Sequence, residues 1–208
     1  MKGWHFAAAG PNGTPVLRDG TLAVAGTVRV KGPLVLCEWG LHASERALDA
    51  LKYAPGPWLS LVELSGEVVR GEDKAVATAR TAGGYRDVSS ILHEFAVRCA
   101  VRALERVQVP DERSWAACDL TLGWLMGVVA DETLCDAADD AADADYGDAY
   151  AANAAAYAAA YAAANATAYA AACAAADAAA YAADDAAYAA ANEKEAQNTE
   201  LEKMLRTT

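Results

Sequence analysis

Over the first 85 residues the apolar positions fall in short runs broken by turn residues, a strand-like pattern. Residues 4–8 read as a strand, closed by Gly10, Pro11, Asn12 and Gly13. Residues 23–30 and 34–37 are β-branched or apolar runs bounded by Gly20, Gly32 and Pro33, and residues 58–64 alternate before Gly66. A helix lies among these runs. Ser44 has the side chain of an N-cap, Leu48, Leu51 and Lys52 follow at helical spacing, and Pro55, Gly56 and Pro57 stop it. From Asp87 the period changes. Ile91, Leu92, Phe95, Ala96 and Cys99 form one face of a helix, Arg98, Arg102 and Arg106 recur every four residues on another, and Pro110 ends it. Asp111 then caps a third helix in which Trp115, Cys118, Leu122 and Leu125 repeat at steps of three and four. Strands followed by helices predict an α+β fold with a small sheet and covering helices.

The pattern changes again after residue 130. Alanine dominates, and from Asp148 onward there is neither Gly nor Pro. Alanine loses no side-chain entropy in a helix, so this C-terminal region is predicted helical. Asn153, Tyr157, Tyr161, Asn165, Tyr169, Cys173, Asp177, Tyr181 and Asp185 fall every four residues, a stripe that winds slowly round a straight helix. A single helix over 131–205 would be about 110 Å long. Two or more packed helices, with tyrosines filling a thin alanine interface, are therefore favoured. At the end of the chain Leu201, Met204 and Leu205 form an apolar anchor. Glu193, Lys194, Glu195, Glu202, Lys203 and Arg206 read as a solvated face. The predicted division is an α+β domain over 1–130 and an acidic Ala/Tyr-rich helical domain over 131–208.

Charge sharpens that division. The net charge is −12, yet residues 1–130 carry 14 acidic and 14 basic side chains and sum to zero. Residues 131–192 carry 11 acidic side chains and no Lys or Arg. Such an arm repels nucleic acid and attracts surfaces built to bind it. Asp136, Asp140 and Asp143 follow i, i+4, i+7 spacing with Asp139 beside them, giving one carboxylate face. Like charges so spaced weaken a helix, an effect the dipole would offset only in the first turns. The spacing does not match a calcium loop. A role in solubility remains open beside a second role, presenting carboxylates where a partner expects phosphates.

Other chemistry is sparse. The five cysteines are odd in number and lack a CxxC pair, which fits reduced, mostly buried thiols, and the three histidines are not spaced with cysteines as zinc ligands. No cofactor is predicted. Cys37 and His42 could form a thiolate–imidazole pair across a turn. Cys37 also ends an apolar run, and the favoured reading is a core cysteine with His42 capping or orienting the following helix. Asp73, Lys74 and Arg80 could join Glu63 in a polar cluster, but separate solvated charges are favoured. There is no phosphate-binding glycine loop or nucleophile elbow. The N-terminus lacks an apolar signal segment and no large apolar run suits a bilayer, which points to a cytoplasmic location without membrane contact.

The runs 37–44 (CEWGLHAS), 47–54 (ALDALKYA) and 62–66 (VELSG), followed by Asp73 and Lys74, are similar to a family of small phage-encoded proteins that carry Ala-rich helical tails. This resemblance covers roughly residues 1–105 and implies a phage or mobile-element origin with little chemistry. The whole chain also resembles type I-C anti-CRISPR proteins. That resemblance implies a non-enzymatic inhibitor that binds a host Cas protein or surveillance complex in the host cytoplasm, with no direct nucleic-acid contact; the sequence does not fix its oligomeric state, and a monomer is favoured. On this reading Asp136, Asp139, Asp140, Asp143, Asp145 and Asp148 are the principal contacts, and Asp177, Asp184 and Asp185 are secondary. An enzyme using Cys37 and His42 and a self-associating structural protein are the alternatives.

Overall fold

The computed structural model describes residues 1–107, 112–142 and 187–207. Residues 143–186, with the four-residue stripe and Asp143, Asp145, Asp148, Asp177, Asp184 and Asp185, lie outside the described residues, as do Pro110 and Asp111. The fold is α+β. The chain divides into two compact units at Val88/Ser89, so the helices after residue 88 group with the C-terminal part and not with the sheet.

The first unit holds β1 (Lys2–Ala9), β2 (Pro15–Val16), β3 (Gly26–Arg29), β4 (Leu41–Ala43), the short helix α1 (Ala47–Leu51), β5 (Trp58–Arg70), β6 (Ala75–Ala82) and β7 (Arg86–Asp87). The strands are antiparallel in the order β2-β1-β5-β6-β3, with β4 also on β6 and β7 on β5. Strand β5 runs past the point where its alternation stops, because a bulge between Ser65 and Val68 absorbs the break. Gly66 sits there at φ +78°, where a Cβ would collide with Thr78 Oγ1, and that hydroxyl accepts the Glu67 N–H at 3.0 Å.

The sheet also curls. Past the end of β4, Ser44 exchanges two backbone bonds with Trp4 of β1, Trp4 N–H to Ser44 O at 2.8 Å and Ser44 N–H to Trp4 O at 3.2 Å. Strand β4 thus touches both β6 and β1. A Cβ on Gly3 would lie 2.7 Å from Ser44 O, so this approach needs glycine. Ala43, Val62, Leu64, Ala75, Ala77 and Ala82 form a core cluster whose small side chains suit a tightly curled sheet.

Several local expectations are corrected here. Ser44 is no N-cap: Arg46 occupies that place without a side-chain capping bond. The apolar run 34–37 is a turn, closed by Val35 N–H to Trp39 O at 2.9 Å and Trp39 N–H to Val35 O at 2.9 Å. Of residues 23–30, only Gly26–Arg29 pair as a strand. Strand β6, in which alanine fills four of the eight positions, carries no clear sequence signal, yet it lies inside the sheet between β5 and β3.

The second unit holds α2 (Ser89–Val107), α3 (Glu112–Leu125), α4 (Asp131–Ala142) and α5 (Ala187–Arg206). Leu92, Phe95, Ala96 and Cys99 are buried on α2, as the periodicity predicts. On α3 the buried face is Ser114, Ala117, Cys118 and Thr121, and Leu122 is exposed, so the predicted apolar repeat is rotated. Ala117 packs with Leu134, Ala138 and Ala141 of α4, and Leu120 and Trp124 complete that cluster. Leu201 and Leu205 anchor α5.

The arginine row of α2 is met by carboxylates of α5. Glu193 lies 3.3 Å from Arg102 and 2.8 Å from Arg106, and Glu200 lies 2.8 Å from Arg102 and 3.2 Å from Arg98. The Glu193 side chain is only 4% exposed, so its reading as part of a solvated face is wrong. Among the described residues no helix is long and apolar enough to cross a membrane.

Glu193→Gln would leave two arginines without their shared charge. A loss of about 1–3 kcal/mol is expected, less than for a fully buried pair because both arginines keep contact with water. Urea unfolding followed by helical circular dichroism checks this. An unchanged midpoint would show that the clasp contributes nothing.

Candidate functional site

Two constellations stand out, one in each unit. The first is the outer face of α4. Leu134, Ala137, Ala138 and Ala141 are buried, and this places Glu132, Asp136, Asp139 and Asp140 together on the exposed side. Helical rise separates Asp136 from Asp140 by about 6 Å along the axis. No described cation pairs with Asp136, Asp139 or Asp140. The helix begins at Asp131, so these aspartates lie beyond the first turn, where the dipole would compensate them. Their i, i+4 repulsion therefore carries a local cost of a few tenths of a kcal/mol, about what such pairs show in isolated helices, with no local return.

The second lies in the sheet unit. Cys37 is exposed and has φ +70°, which corrects its reading as a core residue. Its backbone N–H donates to His42 Nε2 at 3.1 Å. The Gly40 backbone also hydrogen-bonds the ring, so the imidazole is engaged by its own turn and does not cap α1. Burial first, then the Lys74 and Arg80 charges, hold His42 below its ordinary value, against the Gly40 bond. An imidazole so committed has no lone pair to serve a Cys37 thiol as base.

Lys74 stands 3.6 Å over the Tyr53 ring, and Tyr53 O–H donates to Asp73 at 2.7 Å. Lys52 lies 3.0 Å from Asp49 and 3.8 Å from Asp73, and Arg18 donates to the Tyr53 carbonyl at 3.0 Å. The Asp73–Lys74 pair is thus part of a real cluster. Glu63 is not: it pairs across from Thr81 and is exposed, whereas Arg80 is opposite Leu64 and only 6% exposed. Alternation puts them on opposite faces. Arg80 donates to the His42 carbonyl at 3.0 Å. Beside it, Tyr85 Oη lies 3.0 Å from His5 Nδ1, the two rings edge to face. Burial, then Arg80, His42 and Arg18, pull His5 down to about 3.

Sequence reading missed the Arg80–His5–Tyr85 grouping because His5 and Tyr85 are 80 residues apart and meet only through strand pairing. The available signal was the alternation of Gly3, His5 and Ala7 on β1. Among the described residues no group of three or more His, Cys, Asp or Glu could hold a metal ion.

Fold and site together define an α+β protein with a curled antiparallel sheet carrying a basic cluster, and a helical unit with one carboxylate face. Residues 17–94 match the model of a domain of unknown function (DUF7666). That match holds Cys37, His42, Lys74 and Arg80, and α4 lies beyond it. No curated protein and no solved structure matches the chain.

Two outcomes follow from the electrostatics. Burial pushes the Cys99 and Cys118 thiols up to about 12, and Cys37 and Cys135 are exposed. A short iodoacetamide pulse with peptide mapping should modify Cys37 and Cys135 and spare Cys99 and Cys118 until the protein is unfolded. Labelling of all four at equal rates would contradict the packing.

His5 is kept neutral in the folded state with a value depressed from 6.5 to about 3. Its contribution to stability is therefore complete above pH 6.5 and falls as pH drops from 6.5 towards 3. His5→Gln should flatten the acid limb of stability against pH in that window. Parallel profiles for the two proteins would rule the assignment out.

Proposed function

We propose that this protein is an inhibitor of a type I-C CRISPR surveillance complex, acting in the host cytoplasm by laying the carboxylate face of α4 in a basic DNA-binding groove of a Cas protein. The observation that carries the reading is the common exposed face of Asp136, Asp139 and Asp140, set on a helix whose opposite face is locked into α3. Phosphate-binding grooves are lined with Lys and Arg, and a rigid row of carboxylates competes for them electrostatically. The likeness to phage-encoded and anti-CRISPR proteins supplies the particular partner. The Cys37–His42 alternative loses support from the ring's commitment to backbone.

The test is charge reversal. The triple substitution Asp136→Lys, Asp139→Lys, Asp140→Lys changes only exposed positions and should weaken binding to purified type I-C complex by about a hundredfold, since close charge pairs across interfaces each contribute one or more kcal/mol. Target DNA binding would be restored in parallel. Wild-type binding should also weaken as salt is raised from 50 to 300 mM, an interval over which about three fifths of the screening length is lost. A triple variant that inhibits as well as wild type would end the mimicry reading.

A further inference from the structure

We propose that the Arg80 guanidinium and the basic groups around it form a binding site for a phosphate-bearing small molecule in the sheet unit. The argument starts from an unbalanced charge. Arg80 is 6% exposed, and of its five N–H groups one is used, on the His42 carbonyl. Among the described residues no carboxylate pairs with it. Proteins rarely keep a buried cation in that state, because the solvation it loses is normally returned by an anion.

The surroundings also favour an anion. The charges that act on His5 and His42 are basic: Arg80, Arg18 and, for His42, Lys74. Counting the neighbouring Lys52 against Asp49 and Asp73, the cluster keeps an excess of two positive charges, which suits a phosphate dianion better than a carboxylate. The arrangement is also held in place. His42 is fixed by the Cys37 N–H and the Gly40 carbonyl, and its own carbonyl aims the guanidinium. Tyr85 Oη and His5 Nδ1 share one hydrogen bond at 3.0 Å, and burial keeps the imidazole neutral, so it brings no charge of its own. A planar guanidinium with unused N–H groups, beside an uncharged imidazole and with Arg18 and Lys74 in electrostatic range of the two histidines, favours phosphoryl oxygens. Arg18, His42, Lys74, Arg80 and Tyr85 fall within the matched residues 17–94, and the site does not depend on the inhibitor reading.

The experiment uses the full chain and titrates inorganic phosphate, AMP and adenosine, with sodium chloride at matched ionic strength as control. Calorimetry reads affinity, and NMR signals of the Arg80 side-chain N–H groups and the His5 ring report the place. Phosphate and AMP should bind and shift both sets of signals, and adenosine should not. Tighter binding of AMP than of phosphate points to a phosphate ester, and equal binding points to free phosphate. Arg80→Met should abolish binding. Arg18→Ala and Lys74→Ala, at positions nearer the surface, should each weaken it about tenfold, which keeps the test decisive if Arg80→Met does not fold. The proposal is overturned if phosphate acts no differently from chloride, if adenosine binds as well as AMP, or if Arg80→Met or both surface variants retain wild-type affinity.

Discussion

The pairing of the α2 arginines with α5 governs which of the protein's carboxylates can meet a partner. Glu193 and Glu200 are spent on Arg98, Arg102 and Arg106, and Glu202 is taken by Arg206 and Asn198. The ion pairs compensate a glutamate that is almost fully withdrawn from water, and they hold the last helix to the first long one. Asp136, Asp139 and Asp140 of α4 have no such counter-charge among the described residues. One unit therefore contains two kinds of acid: those that hold helices together and those left facing solvent. A count of net charge merges the two, and the functional reading depends on separating them.

The sheet unit shows the reverse imbalance. Its curl, fixed by the Trp4–Ser44 exchange and the small side chains of the core, brings β1, β4 and β6 close enough that His5, His42 and Arg80 share one neighbourhood. The same curl desolvates them. Two histidines are kept neutral, and one guanidinium is left with a single carbonyl. The strained backbone at Cys37, φ +70°, places its N–H on His42 and so helps to fix that neighbourhood.

Much of the fold could be read directly. The strand nature of residues 4–8 and 58–64, the long helix beginning near Asp87, and the apolar anchor at Leu201 and Leu205 follow from periodicity, since each needs only its own residues to bury one face. Strand β6 was not legible, because its four alanines disfavour a strand, offsetting Val76, Thr78 and Thr81, and its place is set by partners on both sides. The role of Ser44 was misread for a similar reason. A local cap competes with a backbone pair to Trp4, and the distant pair wins. Cys37 looked buried because its neighbours are apolar, but the tight turn from Val35 to Trp39 carries it outward.

By itself the sequence determined the fold class, the buried face of α2 and the position of the acidic run, because these rest on local spacing, propensity and the sign of side chains. Tertiary structure alone decided which charges remain available. Whether Glu193 is solvated or clasped, whether Arg80 stands beside Glu63 or on the opposite face, and whether His42 serves a thiol or a turn all depend on contacts between residues 5 to more than 80 positions apart. Electrostatic energy depends on distance and burial in space, and neither is encoded in the order of residues until the chain has folded.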